Sequence, residues 1–210
     1  MVVRVGRRTG DRPAATNVSQ DQPTRWLVDH AHLLPLAGDA IDVACGRGRN
    51  ALWLAARGFN TLAVDRDATA MVQLRDDARH RNLPLRTEVA DLEEGRPDGR
   101  PLPTGRGFDD PALPARNGPL VAAAFDVVVV VHYLHRPLFP VLTAALRPGG
   151  VLVYETFTRA QALRGKPTNP AFLLEPGELR GLVAPLEVIE AREGEFEEKM
   201  LASVIAVRRR

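Results

Sequence analysis

The sequence predicts an α/β fold, a doubly wound and mostly parallel sheet of seven strands that ends in a C-terminal antiparallel hairpin. Three observations predict it. Short apolar runs alternate with segments of helical spacing between residues 40 and 155. The first two of those runs are apolar nearly throughout, as expected when helices cover both faces of a parallel sheet. The last two apolar runs, 186–190 and 201–207, are joined through a charged turn at 193–199 and have no helix between them. With 210 residues the chain suits one compact domain, expected over 21–210.

Each element has a local reason. Residues 1–20 mix Gly, Arg, Asp, Pro, Thr, Asn and Ser without periodicity and read as a disordered arm. From Pro23, the residues Trp26, Leu27, His30, Leu33 and Leu34 recur at helical spacing until Pro35 and Gly38, giving an amphipathic leading helix. Strand 40–44, helix 50–57, strand 61–64, helix 68–82 and strand 85–90 follow, with Gly58 stopping the first helix of the series. Successive strand-helix units imply right-handed crossovers. Residues 93–119, rich in proline and glycine, read as a surface insertion that is either disordered or a lid. The alternation resumes with strand 125–131, helix 138–146 and strand 151–155, the last entered through Pro148-Gly149-Gly150. A polar stretch at 158–170 and a short helix at 176–184 lead into the final hairpin.

Composition excludes some functions. Hydrophobic residues at 45% and charged residues at 26% are ordinary for a globular chain, and no apolar run approaches the roughly 20 residues of a membrane helix. The net charge of +2 comes with scattered arginines whose densest groups, Arg4, Arg7, Arg8 and Arg12 and then Arg208 to Arg210, sit at the termini, weak support for a nucleic-acid partner. A single cysteine, Cys45, rules out an internal disulfide, and with no apolar secretory core near the start a cytoplasmic protein is expected. The sequence sets no oligomeric state, and no metal site is expected.

The chemistry-bearing stretch is Asp42-Val43-Ala44-Cys45-Gly46-Arg47-Gly48-Arg49-Asn50-Ala51, between a strand and a helix. Gly46 and Gly48 permit a tight turn and close approach of backbone to a ligand, and the helix amides favour an anionic group. Asp65 ends the second strand nineteen residues after Gly46, where a carboxylate can accept both hydrogen bonds of a ribose diol. This spacing also fits a nicotinamide dinucleotide. Asp42, beside the turn, argues against a pyrophosphate there, and the chain after the hairpin is too short for a separate substrate domain.

These residues, with Val64-Asp65-Arg66-Asp67, Ala90-Asp91-Leu92, Phe125-Asp126-Val127-Val128 and Leu146-Arg147-Pro148-Gly149-Gly150-Val151-Leu152, resemble the class I S-adenosylmethionine-dependent methyltransferases. The nearest likeness is to the small bacterial tellurite-resistance and thiopurine types, over about residues 23–207. The resemblance implies a Rossmann-like methyltransferase fold with S-adenosyl-L-methionine as cofactor. Gly46 and Gly48 would cradle its methionine part, Asp42 would meet its amino group, Asp65 would hold the ribose, and Asp91 with Leu92 the adenine. Ala44, Cys45, Asn50, Arg66 and His132 belong to the same implied site. Ala44 departs from the glycine usual in the family, a change expected to matter little. Asp65 and Asp91 as plain helix caps are the structural alternative.

Ligands of open parallel sheets bind beyond the carboxyl ends of the strands, so the acceptor should meet 131–136 and 154–159. His132, Tyr133 and Glu155 are the candidate proton acceptors there, although positioning alone can drive methyl transfer. The fourth strand lacks the Asn/Asp-Pro-Pro-Tyr/Phe ending of base-directed amine methyltransferases, which favours a small molecule, a thiol or a metalloid. An RNA or protein acceptor is the alternative. Finally, Arg25 and Trp26 could close over the cofactor's carboxylate, or Trp26 could pack in the core with Arg25 in solvent.

Overall fold

The structure, a computed structural model, describes residues 22–93 and 120–210. The proposed arm at 1–20, and the insertion apart from its first residue, lie outside the described residues. Seven strands form one sheet: β1 (Gly38–Val43), β2 (Phe59–Asp65), β3 (Leu85–Val89), β4 (Phe125–Val131), β5 (Leu146–Phe157), β6 (Glu187–Phe196) and β7 (Lys199–Val207). Their order is β3-β2-β1-β4-β5-β7-β6. The five strands from β3 to β5 are parallel, and β7 runs antiparallel between β5 and β6. This is the predicted architecture. The strand order reverses between β1 and β4, the place where open α/β sheets take ligands.

The apolar runs fill both faces. In β4, Val128 and Val130 join one core with Phe139 and Leu142 of α4 (Phe139–Ala145) and Leu179 of α5 (Glu178–Leu182). Val127, Val129 and Val131 point to the other face, against Trp26 and Leu27 of α1 (Arg25–Asp29) and Leu54 of α2 (Arg49–Ala56). Such two-sided burial is why these strands carry no polar alternation. A third, smaller core seats Ala51 of α2 against Met71 and Leu74 of α3 (Ala68–His80).

Several boundaries differ from the sequence expectation. The leading helix is one short turn, Arg25–Asp29, followed by a 3-10 turn at Ala31–Leu33, because the backbone breaks at His30. Helix 176–184 shrinks to Glu178–Leu182, started by Gly177 in the left-handed region. β5 reaches back to Leu146 through Gly149-Gly150, and its register against β4 shifts between Phe125 and Val127. The expected turn at 193–199 is mostly strand. The chain reverses only at Glu197 and Glu198, both at positive φ, so β6 and β7 pair up to Phe196 and Lys199.

Candidate functional site

The ends of β1 to β4 surround a cavity of about 320 Å3. Ala44, Asp65, Arg66, Asp91, Leu92, His132 and Tyr133 line it, so seven of the predicted positions, drawn from four strand ends, face one space. Asp42, Cys45, Gly46, Gly48 and Asn50 are not in its wall, and Glu155 borders a second cavity instead.

Local backbone chemistry sets the first half of this site. The Gly46 amide donates to Asp65 Oδ2 at 2.8 Å, and the Asp67 amide donates to Asp65 Oδ1 at 2.9 Å. Asp65 therefore locks the glycine turn to the end of β2. The cap of α3 is Asp67, which accepts from the amides of Thr69 and Ala70, so Asp65 is not the helix cap. Asp91 Oδ1 accepts from the Glu93 amide at 2.9 Å. Each carboxylate oxygen has a further lone pair for a ligand.

The two glycines of the turn differ. A Cβ on Gly48 would lie 2.3 Å from Leu74 Cδ2, so Gly48 is there for helix packing. A Cβ on Gly46 would meet nothing within 4 Å, which leaves open space over that backbone for a ligand. Ala44 has φ 54, a left-handed conformation that costs a side chain about 1–2 kcal/mol. The expectation that alanine in place of the usual glycine matters little is thus corrected: the position favours glycine, and this chain carries strain there.

Asp42 is buried at the end of β1. Its Oδ2 accepts from the Ala51 amide at 2.9 Å, while Oδ1 has no hydrogen-bond partner. Burial pushes its pKa up to about 7, against the lowering effects of the Ala51 amide and Arg49. Cys45 packs on Met71, and burial raises its thiol, which makes it a packing residue and no nucleophile. Asn50 is also buried, with Oδ1 accepting from the Thr24 amide at 2.9 Å.

Beyond β4, His132 sits at φ 59 with its ring stacked on Phe157, centroids 4.6 Å apart. Burial and then Lys199 lower its pKa to about 4, so the ring is neutral near pH 7. Strain at such a residue is typical of functional sites. The Tyr133 hydroxyl is buried without a partner, and burial, then Glu93 and Asp91, raise its pKa. Asp42 Oδ1 and this hydroxyl are the two such orphaned side-chain atoms among the described residues. Both flank the strand ends.

Glu155 is fully engaged. Thr24 Oγ1 donates to its Oε1 at 2.6 Å, and Ser203 Oγ and Arg192 Nη2 donate to Oε2 at 2.8 and 3.0 Å. Arg192 in turn lies over the rings of Trp26 and Phe196, at 4.5 and 3.9 Å. Trp26 is 4% exposed, and Arg25 reaches only Glu197 at the surface. Of the two readings of this pair, the packed one describes the geometry. The second cavity, about 860 Å3, lies between Thr24, Arg25, Glu155 and Lys199, and His132 borders it too.

Sequence reasoning missed Pro167 and Phe172, which line the first cavity from the stretch between β5 and α5. The signal was the apolar Phe172-Leu173-Leu174 run beside that polar stretch. No group of three or more His, Cys, Asp or Glu side chains able to hold a metal occurs among the described residues, and no helix there is long and apolar enough to cross a membrane.

Sheet order and strand-end cavity define the fold class, that of the class I S-adenosylmethionine-dependent methyltransferases. Residues 26–100 match the family of the tellurite resistance protein TehB. The structure is similar to TehB from Haemophilus influenzae, with 16% identity over 94% of this chain and 64% of that one and a TM-score of 0.63. A methyltransferase from Mesorhizobium loti aligns with 17% identity over 86% and 96% of the two chains, TM-score 0.61. The N-methyltransferase NodS from Bradyrhizobium japonicum aligns with 13% identity over 92% and 96%, TM-score 0.61. A 52-residue stretch is 38% identical to Hemagglutinin 1 of Eikenella corrodens, spanning 25% of this chain and only 17% of that protein. The chain thus has the fold of these methyltransferases, and its residues 26–100 resemble the TehB family.

Proposed function

We propose that the chain transfers a methyl group from S-adenosylmethionine to a small-molecule acceptor in the 320 Å3 cavity. The observation that carries this reading is the gathering of Ala44, Asp65, Asp91, Leu92 and His132, far apart in sequence, around that one space. When bound, the cofactor supplies an electrophilic methyl on a sulfonium. The chain's residues do the rest. Asp65 accepts from the ribose hydroxyls with the lone pairs that the Gly46 and Asp67 amides leave free, and Asp91 accepts from the adenine amine. The open backbone at Gly46 admits the methionine part, and the orphaned Asp42 Oδ1 offers a hydrogen-bonding group beside it.

That methyl would pass to the acceptor atom, with the electron pair of the broken carbon–sulfur bond left on sulfur. The acceptor's proton leaves to solvent or to neutral His132, which is unprotonated at pH 7. Glu155, which accepts from three donors, ties the scaffold together. The lone buried cysteine accords with a reducing, cytoplasmic setting.

Calorimetric titration with S-adenosylhomocysteine tests the reading. Binding that Asp65→Ala weakens by about 1–3 kcal/mol, the scale of hydrogen bonds to a charged group, is expected. Binding of NAD in its place would return the dinucleotide alternative, and label transferred from the cofactor to RNA or protein would replace the small-molecule acceptor.

A further inference from the structure

The cavity is chemically two-sided. Toward β2 and β3 its wall is charged, with Asp65, Arg66, Asp91 and Glu93. Toward β4 and β5 it is made of Leu134, Phe157, Pro167 and Phe172 beside the neutral His132 ring. Arg66, on the β2 side, is the cavity's one cationic residue among those described.

The apolar wall is held from outside. Arg136, four residues past the bend at His132, donates from Nε and Nη2 to the two oxygens of Glu178 at 2.6 and 2.8 Å. Its Nη1 also reaches the Ala171 carbonyl at 3.2 Å, and Nη2 the Leu173 carbonyl at 3.0 Å. One guanidinium thus grips the backbone on both sides of Phe172 and ties it to α5. The same segment is clipped to the end of β5, where the Leu174 amide donates to Phe157 O and the Arg159 amide to Leu174 O, each at 2.9 Å. Leu173 and Leu174 are buried beneath, yet Phe172 remains 45% exposed at the cavity. A large aromatic held half in solvent, on a backbone this firmly fastened, is placed to meet a ligand.

We propose that Phe172, with Phe157 and Pro167, forms the acceptor half of the cavity, that Arg136 is its positioning residue, and that the acceptor is an uncharged, apolar small molecule. The proposal rests on the methyltransferase reading and deepens it. An oxyanion acceptor would find no cation among the described residues of this wall, and burying its charge against two phenyl rings would be costly. A neutral thiol or hydroxyl on an apolar body would lose far less by the same transfer and would gain from ring contact.

The test uses the full chain loaded with S-adenosylhomocysteine, with benzyl alcohol as an unreactive neutral probe and selenite as the anionic competitor, followed by saturation-transfer NMR. Benzyl alcohol should bind, selenite should not displace it, and Phe172→Ala should weaken it by about tenfold, the scale of one apolar side chain. Arg136→Ala should weaken the probe similarly, and Arg136→Lys, which keeps the charge without the fork, should restore it only in part. Affinity for S-adenosylhomocysteine should be unchanged in all three variants, a split that general unfolding would not produce. With benzyl mercaptan as acceptor, the same changes should raise KM and leave kcat nearly constant. Probe binding that is absent or indifferent to Phe172→Ala, or displacement by selenite, would overturn the acceptor assignment. Failure of the unsubstituted chain to bind S-adenosylhomocysteine would overturn the methyltransferase reading beneath it.

Discussion

The two sides of the strand-end cavity are built by different physics. On the β1 to β3 side, carboxylates are held by nearby amides: Asp65 by Gly46 and Asp67, Asp91 by Glu93. On the β4 to β5 side, the framework is fastened by side chains far apart in sequence. Glu155 meets Thr24, Ser203 and Arg192, and Arg136 meets Glu178. In the proposed function, the first side would hold the cofactor through short motifs and the second the acceptor through long-range clasps.

The largest expected effect breaks the second side. Glu155→Ala leaves Arg192, Thr24 and Ser203 without their shared acceptor, so thermal or urea unfolding should show a loss of about 3–5 kcal/mol. The two glycines sharpen the contrast. Gly48→Ala should cost about 2–3 kcal/mol of stability, from overpacking against Leu74 and a left-handed φ of 75. Gly46→Ala should cost only the φ penalty of about 1–2 kcal/mol and yet reduce S-adenosylhomocysteine affinity, because its new methyl enters open space. Equal stability losses in the two variants would remove the distinction.

A smaller effect lies in pH. The folded pKa of Asp42 is raised from 3.8 to about 7, so its contribution to stability is fully present below about pH 4 and is lost as pH rises toward 7. The gain of Asp42→Asn over the parent in urea midpoint should grow across that window and then level off. His132 titrates in the opposite sense. Its folded pKa is lowered from 6.5 to about 4, so its contribution is present above pH 6.5 and lost as pH falls toward 4. It is unchanged in Asp42→Asn and cancels from the comparison. A constant difference between the two proteins would show that Asp42 stays ionised throughout.

Legibility in the sequence followed the same division. The strands β1 to β4 could be read because two-sided burial leaves unbroken apolar runs, and the glycine turn with Asp65 could be read because its contacts are close in sequence. The leading helix was overestimated: residues up to Leu34 keep helical spacing, but a 3-10 turn replaces the helix after His30. Asn50 Oδ1 accepts from the Thr24 amide, a partner no local pattern announces. Arg136 fastens the Phe172 segment through contacts 35 to 42 residues apart, beyond the reach of periodicity.

In the proposed function the charged strand-end cavity, and not the larger one beside Glu155 and Lys199, would receive S-adenosylmethionine. Amide NMR during titration with S-adenosylhomocysteine tests it most directly. Shifts should concentrate at Gly46, Arg66, Asp67, Leu92 and Glu93, around the carboxylates of Asp65 and Asp91, with little change at Arg25 and Glu198. Shifts centred on Arg25, Glu198 and Lys199, with Leu92 and Glu93 unmoved, would contradict it.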